Sequence, residues 1–240
     1  MKTKTFLIFL IFPAFLFSQV KSTIDFVAGF EYSYRSINAS NDDLITNIVL
    51  EVRDGETGKL NYRFGFNYNQ RLSEKFYLKS GIRLASVGYK GEKRTGLRYG
   101  SEFDGNGGYQ PDPNLPHESQ FIYDYLFIEI PIIARYEFNK KKISPFIETG
   151  ISSNVYVTSK TKLITDISTS TEFHDETKFN LNRLHFALNL SFGLNYQIGE
   201  KWILFGQPIF RYHFTKLADA PINEYLYNYG IELGARMKIK

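Results

Sequence analysis

The sequence has no cysteine, no apolar run long enough for a membrane-spanning helix and no strong excess of charge of one sign. The lack of cysteine is compatible with an oxidising compartment but does not demonstrate one. The most apolar segment, 6–17, is about twelve residues long, against the roughly twenty that a spanning helix needs. The sequence therefore offers no transmembrane helix, and its mean hydropathy of -0.27 would also suit a soluble protein.

The N-terminus has the layout of a cleavable export signal. Two lysines precede the apolar segment 6–17, and Ser18 follows it. This order of basic, apolar and small residues is typical of a secretory signal peptide. We expect residues 1–18 to be removed and residues 19–240 to form the mature protein, which is one domain because no linker-like change of composition divides it.

The small excess of positive charge argues against nucleic acid as a partner. The formal net charge is +4, and it falls to +2 when the two lysines of the signal segment are removed. The basic isoelectric point therefore indicates no concentrated basic face. The sequence also shows no nucleophile elbow, phosphate-binding loop or metal-binding helix, so we assign no catalytic, cofactor-binding or metal-binding residue.

What the sequence does have is a regular two-residue alternation of apolar and polar side chains. In the clearest stretch every even-numbered position of 184–198 is apolar, while Asn189, Ser191 and Asn195 occupy odd-numbered positions. No α-helix gives this pattern, because 3.6 residues per turn would spread the apolar side chains around the whole circumference. Each such stretch is therefore a strand with one apolar face.

Eight stretches follow this pattern, and the connections between them alternate in length. The predicted strands are residues 24–35, 59–70, 76–90, 121–138, 144–157, 181–198, 202–215 and 225–239. Short polar turns at 71–75, 139–143 and 199–201 alternate with longer connections. Outer-membrane barrels have this rhythm, with short turns in the periplasm and long loops outside. Together with the export signal, it predicts an all-β, eight-stranded antiparallel up-and-down transmembrane β-barrel in the bacterial outer membrane.

A soluble eight-stranded barrel would show the same alternation turned inside out. The polar positions favour the membrane, because they combine Gly, Ser, Asn and Ala with single charges, whereas a solvated outer face would be rich in Lys and Glu. An eight-stranded barrel is just wide enough for side chains to fill its interior. We therefore assign the apolar side chains to lipid and the polar ones to the lumen.

Charged side chains of both signs fall on the lumen-facing positions. They are Glu31, Arg35, Arg63, Lys79, Arg83, Glu129, Arg135, Glu137, Glu148, Arg211, Glu232 and Arg236. We expect a paired network that fills the barrel, because an unpaired buried charge costs several kcal/mol. Counting back from the turn at 139–143 places Arg135 opposite Glu148. A conducting or substrate-selecting lumen is the alternative.

Two histidines, His185 and His213, also fall on the inward positions of neighbouring strands, where they are expected to be diagonal neighbours near the outer rim. Such a pair could bind a transition metal or respond to pH. Only two ligands are visible, so ordinary polar packing is the favoured interpretation. Outer-membrane deacylases carry a histidine that faces lipid, whereas these two face inwards.

Two further features concern the loops and one strand. Residues 104–108, Asp-Gly-Asn-Gly-Gly, resemble the start of a calcium loop but lack the bidentate Glu at the twelfth position, so a flexible loop is favoured. This segment belongs to the longest external connection, which is the best candidate for contacting a partner. Pro131 should lie at a bulge or at a locally missing ladder bond, because a closed barrel has no free edge.

The segment 125–136 carries a family resemblance. It reads Tyr-Leu-Phe-Ile-Glu-Ile-Pro-Ile-Ile-Ala-Arg-Tyr, and Pro145 and Phe146 open the next predicted strand. This pattern resembles the PorT-like outer-membrane β-barrel family, of the outer membrane protein beta-barrel domain type. The resemblance implies an eight-stranded outer-membrane barrel, usually of unassigned function, whose namesake is linked to protein secretion across the outer membrane. It brings no catalytic residues.

The sequence thus predicts a small outer-membrane barrel with a side-chain-filled lumen, acting as a structural or accessory membrane component and, by resemblance, in protein secretion. The alternative is a transporter or ligand-binding barrel that uses the polar lumen, and a lipid-modifying enzyme is less favoured. No enzyme activity and no cofactor are expected. The expected partners are outer-membrane lipid and secretion-system or other envelope proteins that contact the loops.

Overall fold

The computed structural model describes residues 22–39, 47, 50–51, 53–97, 103, 105–106, 108, 110, 112–175, 180–220 and 222–239. The predicted signal segment 1–18 lies outside the described residues, as do Asp104 and Gly107 of the calcium-like stretch and the neighbouring Pro111. Among the helices of the described residues, none is long and apolar enough to cross a membrane.

The described residues form nine antiparallel strands. They are β1 (Ser22–Ala39), β2 (Thr57–Arg71), β3 (Phe76–Lys90), β4 (Ser119–Glu137), β5 (Ile143–Thr165), β6 (Thr169–His174), β7 (Leu184–Ile198), β8 (Trp202–His213) and β9 (Ile222–Lys238). Eight of them form a ring in the order β1-β2-β3-β4-β5-β7-β8-β9, and β9 pairs with β1 to close it. The predicted closed eight-stranded up-and-down barrel is confirmed.

The two-residue alternation gives the barrel an apolar outside and a polar inside. In β7 the even-numbered Leu188, Leu190 and Phe192 are exposed on the outer surface, whereas Asn189 and Ser191 are buried. Side chains alternate in the same way around the ring, because successive residues of a strand point to opposite faces. The assignment of apolar side chains to the outside and polar ones to the lumen is confirmed.

Strand β5 extends eight residues beyond its predicted end at Val157, and a bulge explains the difference. Leu126 pairs with Thr158 and Phe127 pairs with Tyr156, so Val157 is an extra residue in β5. One extra residue reverses which positions point inwards. The alternation therefore breaks at Val157, where the prediction ended the strand.

Strand β6 was not predicted. It pairs with residues 159–164 of β5 and forms a hairpin that extends β5 beyond the ring. Strand β7 begins at Leu184 rather than at Leu181, which instead forms an isolated bridge with Ala218. These parts of the chain lie beyond the closed ring. There the two faces of a strand do not meet lipid on one side and the lumen on the other, so apolar and polar residues need not alternate.

Pro131 interrupts the β3–β4 ladder, as predicted. The ladder passes from the Ser80–Ile132 pair to the Arg83–Glu129 pair without a change of register. On its other side Pro131 pairs with Ser152 of β5. The missing backbone N–H of proline is thereby accommodated in a closed barrel at the cost of a local gap in one ladder.

The three predicted short turns all lie at one end of the barrel. They comprise residues 72–75, 138–142 and 199–201, and this short-turn end also holds the start of β1 and the end of β9. Gly199 has a φ of 67°, a conformation that favours glycine, so the β7–β8 connection can be tight. The long connections and the β5–β6 hairpin lie at the opposite, long-loop end.

Candidate functional site

The lumen is filled with charged side chains. All twelve predicted lumen charges are buried, and so is Asp25, which the sequence prediction omitted. Asp25 has the same inward parity as Glu31 in β1, so the alternation did contain the signal that identifies it. Twelve of these thirteen charges form two closed rings of alternating sign, and the remaining one, Arg35, lies closer to the long-loop end.

The lower ring lies nearer the short-turn end. It runs in the order Asp25, Arg236, Glu137, Arg135, Glu148, Lys79 and back to Asp25. Arg236 binds Asp25 with two hydrogen bonds of 2.7 and 2.9 Å and reaches Glu137 at 3.0 Å. The predicted pairing of Arg135 with Glu148 is confirmed, by strand register and by an N–O distance of 2.9 Å.

The upper ring lies near the middle of the barrel. It runs in the order Glu31, Arg63, Glu129, Arg83, Glu232, Arg211 and back to Glu31. The Arg63–Glu31 and Arg63–Glu129 distances are 2.7 and 3.1 Å. Asn228 donates a further hydrogen bond to Glu31, and Gln207 donates one to Glu232.

Each ring contains three cations and three carboxylates and is therefore neutral. Every charge has a neighbour of opposite sign on both sides, an arrangement that offsets the cost of removing the charges from water. A cavity between Arg83, Glu148 and Arg211 measures about 10 Å³, the space of about one water molecule. The lumen at this level is a packed network and leaves little room for a channel.

Aromatic rings complete the packing of the lower ring. The Arg135 guanidinium lies 3.5 Å from the centroid of Phe146, and the Phe146 and Phe205 rings meet edge to face at 6.3 Å. Arg236 and Lys79 also lie within cation–π range of Phe205, at 5.5 and 5.6 Å. These contacts fill the interior between the charges with apolar volume.

The two histidines lie between the upper ring and an apolar layer. Ala187 pairs with His213, as the predicted register requires, and the His185 and His213 ring centroids are 6.4 Å apart. Both rings are 1 % exposed and both pack on Phe127. Among the described residues no group of three or more His, Cys, Asp or Glu side chains could hold a metal ion. This geometry is that of interior packing on an aromatic ring.

An apolar layer closes the lumen towards the long-loop end. Its buried members are Val87, Tyr89, Tyr125, Phe127, Tyr156, Leu181, Leu217 and Leu226. Leu181 and Leu217 come from the connections outside the strands, so the loops fold inwards over the barrel. This layer and the two charge rings together obstruct the lumen along most of its length.

Beyond the apolar layer lies an outer mouth with its own charge network. Arg35 forms ion pairs with Glu56 and Glu224, and Arg53 binds Glu224 at 2.7 Å. The Arg35 guanidinium also lies 3.9 Å from the centroid of Tyr89. The adjoining cavity of about 410 Å³ is lined by the two cations and two carboxylates of this network and by Lys160, which lies 3.9 Å from Asp124.

Glu224 shares the inward parity of Asn228 and Glu232 in β9, but the predicted strand began at Tyr225 and therefore left it out. Glu56 precedes β2, where no alternation marks it.

The external connections are joined by a carboxylate. Asp166, between β5 and β6, accepts hydrogen bonds of 3.1 and 3.3 Å from the backbone N–H groups of His117 and Glu118. Desolvation acts to raise the pKa of Asp166, but these hydrogen bonds outweigh it and hold the pKa below its ordinary value. The β5–β6 hairpin is thereby fixed to the segment that leads into β4.

The inner mouth, at the short-turn end, is strongly basic. A cavity of about 340 Å³ is lined there, besides Arg236 of the lower ring, by four cationic side chains from three segments: Arg71, Lys140, Lys141 and Lys238. Lys75, Lys142 and Lys201 lie in the same turns, which contain only Glu74 and Glu200 as acidic residues. The expectation of no concentrated basic face was wrong, because net charge does not show that folding collects the short turns at one end.

The outer surface carries an apolar groove of about 710 Å³. It forms where the small residues Ala28 and Gly206 lie among large lipid-facing side chains such as Phe64 and Leu194. The groove contains almost no polar surface and lies on the face that the alternation assigns to lipid, so we treat it as part of the lipid contact.

Comparison with known proteins found several distantly similar solved structures. None of the curated proteins compared with this chain matches it. The solved structure of Neisserial surface protein A (NspA) is similar, with 12 % identity and a TM-score of 0.46 over 91 % of this chain and 97 % of that one. The outer membrane protease OmpT from Escherichia coli has 8 % identity and a TM-score of 0.45 over 91 % and 97 %. The outer membrane protein OprG from Pseudomonas aeruginosa has 9 % identity and a TM-score of 0.40 over 92 % and 97 %.

A family model supplies the assignment that these distant structures do not. The model of the outer membrane protein beta-barrel domain matches residues 17–217, which is most of the chain. Its description agrees with the closed ring of eight strands and with the apolar outer face. The chain belongs to the outer membrane protein beta-barrel domain family and is a small β-barrel of the bacterial outer membrane.

Proposed function

We propose that this protein is a closed, non-conducting barrel that serves as a structural or accessory component of the outer membrane. The observation that carries the proposal is the filled lumen, in which two neutral rings of six alternating charges lie beneath an apolar layer. A transported solute would have to break these ion pairs and leave buried charges without partners, which costs several kcal/mol for each charge. The surfaces that remain for interaction are the external loops and the short-turn end.

We further propose that the protein is a member of the PorT-like group and acts in protein secretion. The support is the segment 125–136 together with Pro145 and Phe146, which resembles the pattern of that group. We also propose that residues 1–18 are removed on export, and N-terminal sequencing of the mature protein tests this.

Conductance in planar lipid bilayers tests the closed lumen. The purified barrel should insert without producing stable current steps at any applied voltage. Reproducible steps of one size would contradict the proposal and would favour the transporter alternative. A wide porin inserted under the same conditions serves as the positive control for the measurement.

Mild crosslinking in intact membranes, followed by purification of the barrel, tests the accessory role. Secretion components should be recovered with the barrel, and an unrelated barrel of similar size, expressed to the same level, should not recover them. A partner set identical for the two barrels would contradict a role in secretion.

A further inference from the structure

The inner mouth contains four cations that no carboxylate of the described residues neutralises. In both charge rings each cation has two acidic neighbours, whereas Arg71, Lys140, Lys141 and Lys238 form no ion pair with any described carboxylate. Arg71 donates one hydrogen bond, to the backbone oxygen of Ser73 at 3.0 Å, and its other donors remain available. We call the 340 Å³ cavity that these side chains line the basic vestibule.

The basic vestibule is a closed-ended site. Its inner wall includes Glu137 and Arg236, which belong to the lower ring and are already paired with each other at 3.0 Å. Above that ring lie the upper ring and the apolar layer. A ligand that enters the vestibule cannot pass through the barrel, so the site is suited to binding rather than to transport.

The vestibule opens to the aqueous side of the short-turn end, inside the circle of strands. Ser144 and Asn195 line it, and both are buried lumen-facing residues. Lipid headgroups surround the outside of the barrel, and two lysines that do not line the vestibule lie on that side. Lys75 and Lys142 lie 6.0 and 5.4 Å from the ring centroids of Tyr136 and Tyr196, which belong to the lipid-facing set.

The positions of the cations favour an extended anion over a single compact one. Arg71 ends β2, Lys140 and Lys141 belong to the β4–β5 turn, and Lys238 ends β9. Lysine presents a point charge, and only Arg71 offers the planar fork that grips one phosphate or carboxylate with two hydrogen bonds. Cations that come from three segments around one opening match several carboxylates spaced along a peptide. The volume is within the range of ordinary ligand pockets.

We propose that the basic vestibule binds an acidic peptide segment that a periplasmic partner presents, with the carboxylates of the segment paired to Arg71, Lys140, Lys141 and Lys238. This inference deepens the accessory role proposed above and rests on it. Charge complementarity of this kind accelerates association and makes it sensitive to salt.

The test uses the intact barrel in nanodiscs of zwitterionic phosphatidylcholine and a fluorescein-labelled hexaglutamate peptide, whose binding is followed by fluorescence anisotropy. The vestibule variant combines Arg71→Gln, Lys140→Gln, Lys141→Gln and Lys238→Gln. We expect it to weaken peptide binding at least about tenfold at about 0.1 M salt, which corresponds to about 1.4 kcal/mol. All four positions lie at the barrel end, and heat-modifiable migration on gels verifies that the variant is folded.

The matched control removes the same net charge at the long-loop end, with Lys90→Gln, Lys93→Gln, Lys160→Gln and Lys216→Gln. It should change the affinity no more than about twofold, because these side chains lie at the opposite end of the barrel from the peptide, beyond the Debye length of about 10 Å at 0.1 M salt. An equal loss in both variants would overturn the proposal in favour of general attraction by net charge. Displacement of the peptide by inorganic phosphate or by phosphatidylglycerol in the disc would overturn it in favour of a phosphate or a lipid headgroup.

The outcome is separable from that of the crosslinking experiment. The peptide is synthetic and the barrel is purified, so a failure to bind leaves the recovery of secretion components unaffected. Conversely, a barrel that recovers no secretion component can still bind the peptide through the vestibule, in which case the site stands and the secretion role fails.

Discussion

The two rings make each lumen charge depend on two neighbours of opposite sign. Asp25 illustrates this dependence, because Arg236 binds it with two hydrogen bonds and Lys79 lies 3.7 Å away. Removal of one cation leaves two buried carboxylates that each retain one partner, and the ring acquires a net charge of one. Breaking a buried pair by removing one partner typically costs about 3–5 kcal/mol. Single substitutions in the rings should therefore lower the free energy of unfolding more than substitutions elsewhere in the barrel.

Arg236→Met should lower the free energy of unfolding by about 3–5 kcal/mol. The reason is that Asp25 and Glu137 both lose the cation between them. Denaturant titration in lipid vesicles measures the effect, with the fluorescence of Trp202, the single tryptophan of the chain, as the reporter. The second substitution Asp25→Asn in the same chain should recover part of the loss, because it restores a neutral ring.

The control for this prediction is Lys93→Met. Lys93 forms an ion pair with Glu118 at 2.6 Å, but the two side chains are 57 % and 40 % exposed. Exposed pairs contribute about 0–1 kcal/mol, so this variant should unfold almost as the unmodified barrel does. If Arg236→Met has an equally small effect, the closed ring does not stabilise the barrel.

His185→Ala and His213→Ala should leave the acylation of outer-membrane lipid unchanged. Both imidazoles are buried in the lumen against Phe127 and neither faces lipid, so they cannot reach an acyl chain in the membrane. Mass spectrometry of extracted lipid from cells that express each variant at equal level measures this. An altered acylation pattern with either variant would revive the lipid-modifying alternative.

At the scale of strands, the alternation predicts the elements that face both lipid and lumen and fails where one of these environments ends. Strands β2, β3 and β8 were predicted to within a few residues of their observed bounds. Strand β5 was cut short because the bulge at Val157 reverses the inward positions. Strand β6 was missed because Thr169–His174 lies outside the ring and alternates little in polarity. A hairpin surrounded by water on both faces has no reason to segregate its side chains.

Asp166→Ala should release the β5–β6 hairpin from the segment before β4. The backbone amides of His117 and Glu118 lose their acceptor, so their hydrogen-exchange protection factors at neutral pH should fall. Because the pKa of Asp166 is lowered in the folded protein, its contribution is complete above the ordinary aspartate pKa and is lost as the pH falls through the lowered value. The unmodified barrel should therefore show the same loss of protection only in strong acid.

The matched control for this loop prediction is Asp112→Ala. Asp112 accepts a hydrogen bond of 2.8 Å from the backbone N–H of Asn114 within the same connection. Its removal should lower protection at Asn114 and leave His117 and Glu118 unchanged. Unchanged protection of both amides in Asp166→Ala would show that the hairpin is fixed by other contacts.

At the scale of the whole molecule, the sequence predicted the closed barrel but not the distribution of its charge. The ring order follows from antiparallel neighbours joined in sequence, and the lumen charges follow from parity, with Asp25 overlooked. The basic vestibule could not be read from a formal charge of +4, because acidic residues elsewhere in the chain balance it. It becomes visible only when the short turns and the two ends of the barrel wall are placed together. A charge count for each predicted turn would have given part of this signal.

The orientation of the barrel yields the last prediction, for which the absence of cysteine is an advantage. Single cysteines at Lys141 in a short turn and at Lys160 in the extended part of β5 can be labelled without background, since the chain has no other thiol. With short turns in the periplasm, a membrane-impermeant maleimide should label Lys160→Cys in intact cells but Lys141→Cys only after the outer membrane is permeabilised. Both side chains are exposed, so differences in burial do not explain a difference in labelling. Labelling of Lys141→Cys in intact cells would place the basic vestibule on the cell surface, where a periplasmic partner could not reach it.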